Sequence, residues 1–460
     1  MGGGALIQLI AFGVQDIQLI GEPEITYYKC IYRRYTNFAI ESIQQDIIGA
    51  LNPGTKVSVT FARNGDLLKG ITLQYSPNKI VPDQQANKIN AISSNLGHVL
   101  FKTMELEIGG QIIDRHYSNW LTVWRDLSIL SINETQLGVG NNGYEPFASM
   151  LYNRTAYTHF LNIHYNIPPT IVDPYNSTAG APSEAYVPMQ FWFCRNPGLA
   201  LPLIALQYHE VKLHLTLANK ENIINCDTFS DRVNAYVDLT SVKVFAEYYY
   251  LDTIERKQFA QNSHEYLIEQ LQYQNYNDAV YVNNTVSIPL IFQHPVKEII
   301  FCGQPTNEPY RDSTVALPAS NKGPAFPNNI VYKLVNNILY KSSETTNVKM
   351  NLTFNQLPRF SVRNLKYFTR QQIWQHHTGA GSYNLSDSIG VYSFSLRPEE
   401  NQPSGSCNFS RITNPRMVFS DFTKDNITNT FEFLSNLDIY ATNYNILRIG
   451  SGMAALAFAN

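Results

Sequence analysis

Apolar and polar residues alternate with a period of two along much of this chain. Val57, Val59 and Phe61 alternate with Lys56, Ser58 and Thr60; Ile71, Leu73 and Tyr75 continue the habit. Met104, Leu106 and Ile108 enclose Glu105 and Glu107, and Val211, Leu213, Leu215 and Leu217 enclose Lys212, His214 and Thr216. Further runs are Val242-Val244-Ala246, Val348-Met350-Leu352-Phe354, Tyr392-Phe394-Leu396 and Leu437-Ile439-Ala441. Successive side chains of a strand point to opposite faces. Each run therefore predicts a half-buried strand, one face on a core and one face wet. Gly109-Gly110 separates Met104–Ile108 from Gln111–Ile113, and two glycines supply the positive φ values of a tight hairpin. Helical spacing is rare. Ser118 is placed to cap a short helix carrying Trp120, Leu121, Trp124 and Leu127. Many strands and few helices predict sandwiches or barrels.

Between the strands lie long stretches with little alternation. Residues 131–188 are rich in Asn, Gly, Ser, Thr, Tyr and Pro, and residues 304–329 hold several prolines. Both predict loops available to neighbours or to an outer surface. Residues 250–261 read as a linker, with the charged string Asp252-Thr-Ile-Glu-Arg-Lys-Gln, and strands resume near Tyr266. A domain boundary is expected near residue 255. A chain of 460 residues exceeds the roughly 250–300 that one core serves. The parts echo each other. Phe191-Trp-Phe-Cys-Arg-Asn-Pro197 precedes the run Val242–Tyr250 much as Tyr392-Ser-Phe-Ser-Leu-Arg-Pro398 precedes Leu437–Ile446. One fold used twice is the expectation.

Composition narrows the function. Charged residues are 15% of the chain, against about 25% in an average soluble domain. Tyr (29) and Phe (24) are abundant. Large protein–protein contacts favour this combination, since interface cores lose charge and gain aromatics. The net charge is −3, and the longest basic cluster, Lys29 to Arg34, is short and interrupted, so packaging of nucleic acid is not expected. Five cysteines, Cys30, Cys194, Cys226, Cys302 and Cys407, form no CxxC and predict reduced thiols rather than a disulfide or zinc framework. The apolar run Ala5–Phe12 is far short of the ~20 residues that span a bilayer. It follows no basic segment, and position 6 is Leu where myristoylation prefers Ser or Thr. An N-terminal arm docking on the protein or a neighbour is expected instead.

Motifs for chemistry fail on context. Gly138-Val-Gly140-Asn-Asn-Gly143 fits GxGxxG but sits between neither strand nor helix. His209-Glu210 is followed by His214, five residues from His209 where a metalloprotease helix needs four. His376-His377 has no evident third ligand, and Glu399-Glu400 would point apart on a strand. Asn-x-Ser/Thr sequons at Asn133, Asn153, Asn176, Asn283, Asn351, Asn384, Asn408 and Asn426 are what an Asn-rich chain produces by chance. No catalytic, cofactor-binding or metal-binding residue is assigned, no cofactor is expected, and an enzyme is not expected.

One segment is unusual: Phe191-Trp-Phe-Cys-Arg-Asn-Pro-Gly-Leu-Ala-Leu-Pro-Leu-Ile-Ala-Leu-Gln-Tyr-His-Glu210. It resembles the signature segment of the major capsid proteins of nucleocytoplasmic large DNA viruses. Collinear blocks agree: Gly13-Val-Gln-Asp16, Tyr32-Arg-Arg-Tyr-Thr-Asn-Phe38, Gly109-Gly-Gln-Ile-Ile-Asp114, Ser263-His-Glu-Tyr-Leu-Ile-Glu-Gln270, residues 396–411, and Tyr444-Asn-Ile-Leu-Arg-Ile-Gly-Ser-Gly-Met453. The chain is most similar to phycodnavirus and marseillevirus-like members, and the resemblance spans nearly its whole length.

The resemblance implies an all-β double jelly roll: two consecutive eight-stranded β-sandwiches with long loops and few short helices. It implies an N-terminal arm over residues 1–24, a first jelly roll over 25–255, and a second jelly roll with a C-terminal segment over 256–460. It implies a homotrimer forming pseudo-hexagonal capsomers that tile an icosahedral virion shell around an internal membrane and a dsDNA genome, with assembly in the host cytoplasm. The implied partners are neighbouring capsomers, minor capsid proteins and the internal membrane, with no direct contact to nucleic acid. Alternatives carried forward are a minor or penton-type capsid protein of the same fold and a carbohydrate-binding or hydrolytic β-sandwich. Within the signature, residues 191–194 are expected to end a strand and Asn196-Pro197-Gly198 to turn the chain. Pro202 interrupts any ladder. The apolar stretch 199–206 is expected to be covered either between the two jelly rolls or by another subunit.

Overall fold

In the computed structural model of the chain, residues 36–76, 91–92, 96–128, 185–225, 237–276, 285–303, 348–379, 389–421 and 437–458 are described. The N-terminal arm, residues 131–184 and 304–329, the GxGxxG string, the Lys29–Arg34 cluster, Cys30, Cys226 and every sequon except those at Asn351 and Asn408 lie outside them.

The alternating runs are strands, except that the run Tyr392-Phe394-Leu396 leaves its strand after Ser393 and continues as bends. In the first half these are β1 (Phe38–Gln45), β2 (Ile47–Ile48), β3 (Lys56–Thr60), β4 (Leu67–Tyr75), β5 (Ala91–Ile92), β6 (Phe101–Ile108), β7 (Gln111–Tyr117), β8 (Ala185–Pro188), β9 (Leu201–Pro202), β10 (Val211–Leu217), β11 (Ile224–Asn225) and β12 (Lys243–Leu251). One sheet has the order β1-β12-β4-β8, with β9 also on β4; the other runs β2-β3-β10-β6-β7. Val59, Leu213 and Leu106 from one sheet and Leu73, Val244 and Ala246 from the other are buried in a common core, as the period of two requires. The predicted hairpin closes with Ile108 opposite Gln111, and Gly109 and Gly110 hold φ values of +59° and +86°. The predicted helix spans Ser118–Ser128, with Ser118 as its first residue.

The second half contributes β13 (His264–Tyr276), β14 (Val286–Pro289), β15 (Pro295–Gly303), β16 (Lys349–Phe354), β17 (Leu357–Pro358), β18 (Arg363–Asn364), β19 (Ile389–Ser393), β20 (Cys407–Asn408), β21 (Arg416–Ser420), β22 (Leu437–Gly450) and β23 (Met453–Leu456). The orders repeat: β13-β22-β15-β19 with β20 on β15, and β14-β21-β16-β17 with β18 on β16. Thus β13 stands where β1 stands, β22 where β12 stands, β15 for β4, β19 for β8 and β20 for β9. A second core of Ile288, Ile299, Phe301, Met350, Phe419 and Ile439 fills this sandwich. Two antiparallel sandwiches of the same strand order are a double jelly roll. The echo noticed in the sequence falls on similar ground: residues 191–197 follow β8, residues 392–398 begin in the last two residues of β19, and both lead to a short strand returning to the same sheet.

Three expectations are corrected. Residues 191–194 do not end a strand. After β8 the chain makes one helical turn, Trp192–Arg195, so Phe191, Trp192 and Phe193 are all buried, where a strand would have turned one of them outward. The expected linker is the helix Thr253–Gln261, whose first N–H is accepted by the Asp252 side chain. Glu399 and Glu400 lie in a turn rather than a strand, Glu399 against His377 and Glu400 against Arg397.

Candidate functional site

A seam joins the two sandwiches, and it overturns the reading of one face as wet. Along β22, Leu437, Ile439 and Ala441 enter the second core as the alternation predicts. The intervening Asp438, Tyr440 and Thr442 are at most 5% exposed. Along β15, Lys297 and Glu298 are likewise fully buried. The cover is the first sandwich. Alternation reports two unlike faces, and here the polar face meets protein instead of water.

The seam is built from both sides. Helix Ser118–Ser128 lays Trp120 against Tyr440 at 5.2 Å between ring centroids, and Tyr117, at the end of β7, packs on Tyr273 at 4.4 Å. Asp438 is a hub. Its carboxylate accepts from the Tyr273 hydroxyl (2.7 Å), Asn275 (2.8 Å), Asn119 (3.2 Å) and the Tyr440 hydroxyl (3.3 Å). Burial first, and then the Asp438 charge, raises the Tyr440 and Tyr273 phenols well above the ordinary tyrosine range. On β7, Asp114 accepts from the Leu271 backbone N–H at 3.0 Å and lies 3.0 Å from His116, whose ring stacks on Phe191 at 4.6 Å. Gln270 donates to the Ile113 carbonyl and accepts from Asn445.

Arg195 of the signature segment reaches across to Glu269 at 2.7 Å while lying over the Trp124 ring at 5.0 Å. The other Glu269 oxygen lies 2.6 Å from the ammonium of Lys297, which donates to the Pro398 carbonyl at 2.6 Å. Burial lowers the Lys297 pKa, with Arg195 acting the same way and Glu269 and Glu298 opposing both. A small cavity is left beside this pair, lined by Asp114, His116, Trp120, Arg195, Glu269 and Thr442 among others.

A second charge cluster anchors the turn after β19. The His377 ring lies 3.0 Å from Glu298 on one side and 3.0 Å from Glu399 on the other. The Glu298 contact is off-line for a hydrogen bond and acts as a charge contact. Burial pulls the His377 pKa down, but the two carboxylates outweigh it and hold the ring at about 9. Glu298 is pushed up by burial and more strongly down by His377 and Lys297, so it stays below the usual carboxylate range. Thr378 Oγ1 lies 2.7 Å from both the Glu399 carboxylate and the Ser128 carbonyl, tying this cluster to the first sandwich.

The other residues weighed as chemistry have structural partners. His209 accepts from the Ala454 N–H at 3.1 Å and packs on Gly109. Glu210 pairs with Lys212 at 3.0 Å, and His214 with Glu107 at 2.7 Å. His376 contacts the Leu396 carbonyl at 3.1 Å. Among the described residues no group of three His, Cys, Asp or Glu side chains is arranged to hold a metal ion. The stretch 199–206 is covered within the chain: Leu201, Leu203, Ala205 and Leu206 are buried, and Tyr208 N–H donates to the Gly452 carbonyl of the other half. No motif marked Glu269, Lys297 or Asp438 as seam residues. The one available signal was charge inside otherwise apolar strands.

Comparison with known proteins extends this picture. A family profile described as "Major capsid protein N-terminus" matches residues 26–252, and one described as "Large eukaryotic DNA virus major capsid protein" matches residues 255–455. The chain is 37% identical to the major capsid protein of Pyramimonas orientalis virus over 100% of both chains. It is 37% identical to that of Paramecium bursaria Chlorella virus 1, covering 99% of this chain and 100% of the relative. Among solved structures, the quasi-atomic model of the PBCV-1 virus capsid matches with a TM-score of 0.70 and 34% identity over 95% of this chain and 100% of the other. The Faustovirus major capsid protein shares the fold, with a TM-score of 0.60 at 10% identity, covering 93% of each chain.

Proposed function

Because the chain belongs to the family of large eukaryotic DNA virus major capsid proteins, we propose that three copies close into a pseudo-hexagonal capsomer and that capsomers tile an icosahedral shell. The chain is a structural component of the virion capsid, not an enzyme. The observation that carries the trimer is the repeat itself. Two sandwiches of one strand order are locked side by side by a buried polar seam. A ring of six sandwiches then needs three chains, and closed cyclic symmetry favours such rings over open chains.

The arm over residues 1–24 and the units over 25–255 and 256–460 are the proposed divisions. Helix Thr253–Gln261 lies between the last strand of one sandwich and the first of the next, which supports the boundary. Neighbouring capsomers, minor capsid proteins and an internal membrane are the proposed partners, and the host cytoplasm is the proposed site of assembly. The slightly negative balance of the chain, net charge −3, suits a shell that does not touch its genome. Sedimentation of the purified protein tests the trimer: a species of three times 52.2 kDa is expected, and a monomer at micromolar concentration contradicts it.

A further inference from the structure

A guanidinium presents its N–H donors in one plane, and a carboxylate fills an edge of that plane when its two oxygens take two parallel donors. Arg195 and Glu269 meet on such an edge and fill half of it. Arg195 Nη2 donates to Glu269 Oε2 at 2.7 Å. The Nε–H beside it is buried and has no hydrogen-bond partner among the described residues. Glu269 Oε1, which would complete the pair, is turned to the Lys297 ammonium at 2.6 Å. That approach is a charge contact, and Oε1 accepts no hydrogen bond. Adjacent groups of the seam thus hold one buried donor and one buried acceptor unmet. In folded chains such atoms are rare, and an ordered water commonly supplies the partner that the protein lacks.

Lys297 is the reason the edge stays half filled. On β15, Val296 pairs with Asn443 and Glu298 with Thr442 of β22, so Lys297 is the extra residue of a bulge. The bulge turns Lys297 inward, where it is fully buried and reaches across β22 to Glu269 on β13. Arg195 and Glu269 both line the small cavity of the seam, with Asp114, His116 and Thr442 around them. Its volume, about 10 Å³ for the centre of a water molecule, is at the threshold of roughly 10–15 Å³ for one water and excludes anything larger. The chemistry selects as sharply as the size. A ligand that takes the Arg195 hydrogen and gives one to Glu269 must both accept and donate. Chloride only accepts, and it would face the carboxylates of Asp114 and Glu269. Ammonium only donates, and it would face the cations of Arg195 and Lys297. Water does both.

We propose that this cavity is a binding site for one ordered water molecule, which accepts from Arg195 Nε and donates to Glu269 Oε1. The water completes the guanidinium edge that Lys297 leaves open. It lets one carboxylate serve an arginine of the first sandwich and a lysine of the second with every buried hydrogen bond of the trio met. The site lies within one chain, so it holds whatever number of copies assemble.

A crystal structure of the full chain, or a map of the assembled shell, at a resolution that shows ordered waters tests the site. One peak of water density is expected, about 2.7–3.2 Å from both Arg195 Nε and Glu269 Oε1. No peak there overturns the site, and Glu269 turned to give both oxygens to Arg195 would show what replaces it. A peak that contacts Arg195 but stays beyond about 3.5 Å from Glu269 also overturns it, since such a ligand accepts without donating. Lys297→Met is the second test, because it frees Glu269 Oε1 and keeps the space of the side chain filled. In that variant Glu269 is expected to bond Arg195 through both oxygens, and the water peak to be lost. A peak that persists while Glu269 keeps a single bond to Arg195 shows that other groups hold the water, and overturns the bridge. Should the variant fail to fold, the wild-type density alone decides.

Discussion

The ammonium of Lys297 lies 2.6 Å from one oxygen of Glu269, while the other oxygen of the same carboxylate holds Arg195 at 2.7 Å. One carboxylate thus serves a buried lysine of its own sandwich and an arginine of the other. Removing a partner from a buried ion pair strands the remaining charge, which costs more than the pair gains by forming.

Glu269→Ala is therefore expected to destabilise the chain by about 3–5 kcal/mol, because Arg195 and Lys297 lose their shared counter-charge together. The urea midpoint of the variant reads this out. A midpoint equal to wild type would show that the seam charges are already solvated.

His377 makes stability depend on pH at the alkaline side. Its folded pKa of about 9 lies above the ordinary 6.5, so its contribution is full below about 6.5 and is lost as pH rises through 9. Glu298 runs the other way. Its folded pKa lies below 4.5, so its contribution is present above that value and is lost as pH falls through the lower one. Glu399 faces the same ring and Lys297 stands beside Glu298. The lowered pKa of Lys297 relieves a cost as pH rises, opposing the histidine. The difference between wild type and His377→Gln isolates the histidine: melting temperatures are expected to converge between pH 6.5 and 9. A constant offset over that range argues against an ionised ring.

The hairpin glycines are unequal. Both hold positive φ, but a Cβ on Gly109 would overlap the His209 ring, whereas one on Gly110 meets nothing within 4 Å. Gly110→Ala is expected to cost about 1–2 kcal/mol, the backbone strain alone. Gly109→Ala is expected to cost clearly more, since His209 must also leave its bond to Ala454. Thermal melting of the two variants orders them.

Two tryptophans on short helical segments differ in what covers them. Trp120 is buried against Tyr440, so Trp120→Ala is expected to cost about 3–5 kcal/mol in the chain itself. Trp374 is exposed, so Trp374→Ala is expected to stay within about 0.5 kcal/mol of wild type in the isolated chain. Chemical denaturation at low protein concentration distinguishes them.

Much of the fold was legible in the chain. Alternation located most of the longer strands because a sandwich strand has two unlike environments, and Gly109-Gly110 marked a turn because few other residues tolerate its φ values. The helix at Ser118–Ser128 was visible from the spacing of its tryptophans. The helical turn at Trp192–Arg195 was hidden, because a short run of consecutive apolar residues fits a buried strand as well as a buried turn.

The sequence by itself determined the strand faces, the repeat of one fold and the family, since each is written in local order: period, turn residues and collinear blocks. Only the tertiary structure decided where the polar face of β22 goes. Asp438 meets Asn119 from 319 residues away, and Glu269 meets Arg195 across 74. A pattern of alternate residues specifies that two faces differ. What covers the second face depends on packing one sandwich against another, and that packing brings together side chains no local pattern connects.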